Sequence, residues 1–217
     1  MPSADSTGYD RSRSERSMPG CNRIDSSGTI GSTRSKPTSI DRRSVSNQMS
    51  DGASIEQYGD LYVIRFERHL HHPIERVWAA LTDPEQLPQW LAAAELDPVP
   101  NGRYVLHFQN VEHTHVGRVI RYEPPYLFEH TFGDDANGVV RWELSPADEG
   151  CLLRLSHTVY SSTGMANFMA GWHAHLELLE HVLAESPQPW SWDRWHHHRD
   201  RYEAIVAREM ADGEPNG

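Results

Sequence analysis

The sequence predicts an α+β fold: a curved antiparallel sheet wrapped around a long C-terminal helix, with two short helices after the first strand. Three observations lead there. Ile74, Val77, Trp78 and Leu81 fall at i, i+3, i+4 and i+7, which places all four side chains on one helical face. Between residues 104 and 160, apolar and polar residues alternate in short runs separated by turn chemistry, the pattern of an antiparallel meander. Phe168, Trp172, Leu176, Leu179 and Leu183 then give a long helix one broad apolar face.

A β-branched and aromatic run over residues 61–66 reads as the first strand, with Leu61, Val63 and the Phe66 side as its apolar positions. Pro73 stands in the first turn of the helix that follows, where its missing N–H costs nothing, and Asp83-Pro84 ends that helix. Leu87-Pro88-Gln89-Trp90-Leu91 supplies the second short segment. After the turn signal Asn101-Gly102, Tyr104, Leu106 and Phe108 alternate with Arg103, Val105 and His107. Strands are expected over 116–122, 127–132, 139–144 and 152–160. The turns between them are at Pro124-Pro125, Gly133-Asp134-Asp135, Asn137-Gly138 and Asp148-Glu149-Gly150. The long helix is expected to open at Gly171-Trp172 and to run to Leu183.

Period two assigns faces as well as strands. With Tyr104, Leu106 and Phe108 turned toward the long helix, the matching sets are Phe128, His130 and Phe132; Val140, Trp142 and Leu144; and Leu153, Leu155 and His157. Two histidines thus share an apolar concave face with aromatic rings.

Residues 1–50 are rich in Ser and Arg and hold eight Lys/Arg against five Asp/Glu; residues 51–217 hold twelve against twenty-six, a net −14. The first segment cannot bury enough apolar surface to offset chain entropy, so residues 1–52 are expected to form a disordered leader, with an ordinary N-terminus at Met49. The acidic remainder carries no basic stripe, which excludes nucleic acid as an expected partner. No apolar run is long enough to span a membrane and no secretory leader is visible, so a cytoplasmic protein is expected. Cys21 and Cys151 lie in different regions and read as free thiols.

Four motifs in sequence order resemble a known superfamily. They are Pro73-Ile74-Glu75-Arg76-Val77-Trp78 with Leu87-Pro88-Gln89-Trp90-Leu91; Gly117-Arg118-Val119 leading into Glu123-Pro124-Pro125-Tyr126-Leu127-Phe128-Glu129-His130-Thr131-Phe132; Leu153-Arg154-Leu155-Ser156-His157-Thr158; and Gly171-Trp172. Over residues 61 to 185 the chain resembles the SRPBCC superfamily, START-like and Bet v 1-like proteins. Its nearest likeness is to the branch of heat-shock-protein-90 ATPase activator homologues and polyketide-cyclase-like proteins. The resemblance implies a helix-grip fold over 53–186, whose sheet and long helix enclose a cavity for apolar or amphipathic small molecules. His157 stands where such proteins often carry His, whereas His130 replaces a common aromatic.

The candidate ligand-cavity set is therefore Trp90, Tyr104, Leu106, Phe108, His115, Phe128, His130, Phe132, Trp142, Leu155, His157, Phe168 and Trp172. His113 and His115, spaced i, i+2, are expected near the cavity mouth. A His on an apolar face is more often a partnered core residue than a catalyst, and no catalytic residue is assigned. No metal or cofactor is expected. His196-His197-His198 diverge around a helix and read as a solvated face, and His173 and His175 face apart. Residues 187–217, with Trp190, Trp192 and Trp195, are expected to form a helical extension that packs on the domain or supplies a homodimer or partner contact. Three functions follow: binding of a small hydrophobic or aromatic molecule; a cyclase or aromatase-like enzyme in the same cavity; or a protein-interaction module of the chaperone-activator type.

Overall fold

The computed structural model describes residues 53–133 and 138–212; the expected leader, and the turn residues Asp134, Asp135 and Asn137, lie outside the described residues. Eight antiparallel strands form one sheet in the order β1-β2-β8-β7-β6-β5-β4-β3. They are β1 (Ala53–Tyr58), β2 (Leu61–Leu70), β3 (Ala93–Leu96), β4 (Arg103–Phe108), β5 (His113–Glu123), β6 (Leu127–Thr131), β7 (Val139–Ala147) and β8 (Gly150–Val159). Helix α1 (Ile74–Thr82) and a 3-10 turn at Leu87–Gln89 connect β2 to β3. Helix α2 (Met165–Leu183) follows the sheet, and α3 (Trp192–Asp212) follows α2. This is the α+β helix-grip architecture, with α2 laid across the concave face.

The face assignment made from period two is the one the core uses. Tyr104, Leu106, Phe128, His130, Val140, Trp142, Leu153, Leu155 and His157 are all nearly inaccessible, and α2 covers them with Met165, Met169, Trp172, Leu176 and Leu179. In β2 the inward residues are instead Ile64, Phe66 and Leu70, while Leu61 and Val63 are only half-buried. The apolar run there is continuous, so composition alone does not fix its phase. A bulge between Val119 and Arg121 shifts the phase of β5: Val119 points into the core, and two exposed positions follow before Tyr122 turns inward. One extra residue bends the strand, which helps the sheet curl around α2.

Two strands escape the sequence reading, β1 and β3. Helix α2 also begins six residues before Gly171, after Gly164 in the left-handed region (φ 76°). Gly171 therefore lies inside the helix, where a Cβ would stand 4.0 Å from the Trp195 indole nitrogen. Gly138 is required for another reason. It has φ +84°, and a Cβ there would stand 1.7 Å from the Thr158 carbonyl oxygen of β8.

The extension beyond residue 186 is not a separate body. The described residues fall in one compact unit, and Tyr202 of α3 is completely buried in the same core as Phe66. Cys151 is free and buried. Among the described residues, no helix is long and apolar enough to cross a membrane.

Candidate functional site

A cavity of about 340 Å³ opens between the concave face near β4 and β5, the first half of α2, and the segment leading into α3. Its walls are Phe108, Val111, His115, Phe132, Phe168, Trp172, Trp190, Trp192 and Trp195, with Asn110, Asn167, Gly171 and His175 as the remaining lining. The rings are arranged against one another. Phe132 stacks on His115 at 4.4 Å and meets Trp172 at 5.4 Å, Trp190 tilts over His175 at 4.8 Å, and Trp192 meets Trp190 and Trp195 edge-on. Such walls favour flat apolar ligands, because aromatic faces and edges offer both dispersion and quadrupole contacts.

Five residues of the thirteen in the sequence-derived set reach this cavity: Phe108, His115, Phe132, Phe168 and Trp172. The other eight, Trp90, Tyr104, Leu106, Phe128, His130, Trp142, Leu155 and His157, are packed in the core and do not line it. Polar atoms of the two core histidines are occupied within the protein. The His130 Nδ1 lies 2.9 Å from the Thr131 carbonyl oxygen, so it carries the proton, and Nε2 then accepts from the Trp142 indole at 3.4 Å. His157 Nδ1 accepts from the Trp172 indole at 3.0 Å. Burial pushes the His130 pKa down to about 4, with the Thr131 carbonyl opposing and His157 adding to the shift. Burial likewise raises the pKa of the Tyr104 hydroxyl.

Sequence reasoning missed the polar groups that do stand at the cavity. His175 donates from Nδ1 to the Trp90 carbonyl oxygen at 2.7 Å, which leaves Nε2 with its lone pair. Desolvation depresses its pKa to about 4, so the ring is neutral. The Trp190 indole nitrogen is buried with no hydrogen-bond partner among the described residues. His175 and Trp190, which carry this acceptor and this donor, are both among the residues that line the chamber. His113 remains exposed beside His115, their rings 4.6 Å apart.

The expectation that His196–His198 form a solvated face is corrected at one position. His196 and His197 are exposed, but His198 is buried and stacks on His173 at 3.9 Å with the rings 14° from parallel. Consecutive residues of one helix do diverge, yet α2 and α3 bring these two rings together from positions far apart in sequence.

The sequence pattern of the family described as "Activator of Hsp90 ATPase homolog 1-like protein" matches residues 71–184. The chain belongs to this family. Among solved structures, the family member is similar to the protein encoded by gene BPP1335 of Bordetella parapertussis. That protein is 30% identical with a TM-score of 0.59, and the match covers 77% of this chain and 93% of the other. CalU16 from Micromonospora echinospora is 22% identical with a TM-score of 0.56, over 74% of this chain and 94% of the other, which speaks to fold alone. So does EF2215 from Enterococcus faecalis, at 18% identity and TM-score 0.59, over 74% of this chain and 94% of the other. No curated protein matches. The α3 helix lies beyond the matched residues, so this family member closes its cavity with a segment outside the matched pattern.

Proposed function

We propose that the protein binds a small aromatic or hydrophobic molecule in the cavity beneath Trp190, Trp192 and Trp195. The observation that carries this reading is an aromatic chamber two of whose lining residues hold an unused polar group, the Trp190 N–H and the His175 Nε2. A buried donor left unpaired costs about 1–3 kcal/mol, so an acceptor on a ligand would be rewarded there. The volume suits a ligand of two or three fused rings bearing a hydroxyl or carbonyl, at the lower end of the usual range for small-molecule sites.

A cyclase-like reaction would have to use His115 or His175, because His130 and His157 engage core partners and do not line the cavity. Both cavity histidines are set among apolar rings, and His175 is held neutral. Binding without turnover is therefore the reading favoured.

The test uses 2-naphthol and naphthalene, with quenching of tryptophan fluorescence as readout. Saturable quenching by both is expected, tighter for 2-naphthol. Phe168→Arg should abolish it by placing a long charged side chain in the chamber. Trp190→Phe should remove the preference for the hydroxylated compound. Absence of saturable quenching, or quenching unaffected by Phe168→Arg, overturns the reading.

A further inference from the structure

The seam between α2 and α3 holds a group of side chains that the cavity does not use. His173 and Glu177 are one turn apart on α2, and His198 approaches them from α3. Glu177 Oε1 lies 3.3 Å from His198 Nε2 and 3.6 Å from His173 Nε2, and one ligand atom from each residue lies within 4.8 Å of the others. His198 is 6% exposed, yet neither of its ring nitrogens has a partner with hydrogen-bond geometry among the described residues. A buried imidazole in that state is costly unless something else satisfies it.

We propose that His173, Glu177 and His198 bind one divalent first-row transition ion, with zinc the first to test. Bonds of about 2.0–2.1 Å at a tetrahedral angle set ligand atoms roughly 3.3–3.4 Å apart, close to the two separations observed. Two imidazoles and a carboxylate are a donor set such ions accept. The two rings stack 3.9 Å apart and 14° from parallel, so their Nε2 lone pairs run side by side, and one ring must turn for both to meet an ion beside Glu177. Tyr202 Oη lies 2.7 Å from His173 Nδ1 and is fully buried, so with Nδ1–H donating to it, Nε2 presents a lone pair to the ion. Glu177 is about one-third exposed and leaves a route for the ion and a water as fourth ligand. Arg194, with Nε 3.5 Å from Glu177 Oε2, is the competitor, and it must release that oxygen or share the carboxylate. Two ligands on α2 and one on α3 make the ion a clamp between these helices.

The experiment uses the full chain without an affinity tag, stripped with a chelator and titrated with Zn²⁺ by calorimetry and with Co²⁺ by visible absorption. One ion per chain is expected, with a Co²⁺ spectrum of low coordination number. Zinc at about a hundred times Kd should raise the unfolding midpoint by roughly 5–10 °C. Glu177→Gln should weaken binding at least about tenfold, and His198→Ala should abolish it. The double variant His196→Ala/His197→Ala should bind like the parent, since those exposed rings are not ligands. Should His198→Ala fail to fold, Glu177→Gln, altered at a partly exposed side chain, decides alone. No saturable binding, binding unchanged in Glu177→Gln, or binding lost with His196 and His197 would overturn the site and leave a cluster held only by ion pairing.

Discussion

His130 belongs to the cavity set that the sequence proposes, and the structure gives it protein partners on both nitrogens. Its ring joins the Thr131 carbonyl to the Trp142 indole. His130→Phe should therefore destabilise the fold by about 1–3 kcal/mol, since it leaves a buried acceptor and a buried donor unpaired. Naphthol binding should be nearly unaltered, because His130 does not line the cavity. Paired measurements of unfolding midpoint and fluorescence quenching check both halves. The same burial gives a pH dependence. His130 and His175 have folded pKa values of about 4 against an ordinary 6.5, so in the window between them the unfolded chain binds more protons. Their stabilising contribution is complete above 6.5 and is lost as pH falls toward 4. By pH 5 the loss is on the order of 2 kcal/mol per histidine. Denaturant titrations at pH 7 and pH 5 should show this fall, and His130→Phe should remove one of its two parts.

At the scale of elements, α3 does two things at once. Trp190 just before it and Trp192 and Trp195 in its first turn line the cavity, and its body buries Tyr202 against Phe66 and His173. Ending the chain at residue 187 should abolish naphthol binding and cost at least about 3–5 kcal/mol, as loss of a large buried aromatic does; quenching and denaturant unfolding test this together. Retained binding would mean that the tryptophans are not a wall. The elements with strong periodicity were legible in sequence: α1, α2 and the meander from β4 to β8 with its inward faces. Two weak strands were not. β3 has only four residues, Ala93–Leu96, and is defined by its pairing to β4, while β1 carries the polar pattern of an edge strand. The cavity was legible only in part for a related reason. A shared face says which residues point inward, but it does not say which of them α2 covers, and the covering tryptophans come from a segment with no pattern in the meander. The His173–His198 stack was invisible because its two rings meet across helices.

At the scale of the whole molecule, β1 is the first strand of the sheet among the described residues. β1 pairs with β2 through all six of its residues, from Ala53↔Phe66 to Tyr58↔Leu61, and buries Ala53 and Ile55 in the core. Arg65 of β2 ties to Glu56 of β1 and to Ser156 of β8, so polar pairing crosses three strands. Such partly buried polar pairs near the surface each contribute little, about 1 kcal/mol, and the burial of Ile55 contributes more. The composition break near Met49 lies just before this strand. A chain beginning at Met49 should unfold at the same temperature as the full chain, since it keeps every residue of β1. A chain beginning at Leu61 should lose several degrees, because it exposes the edge of β2 and uncovers Ile64 and Phe66. Thermal unfolding followed by circular dichroism separates the cases. If the Met49 chain also melted lower, residues 1–48 would contribute to the stability of the fold; if the Leu61 chain melted unchanged, β1 would be an appendage rather than the first strand of the unit.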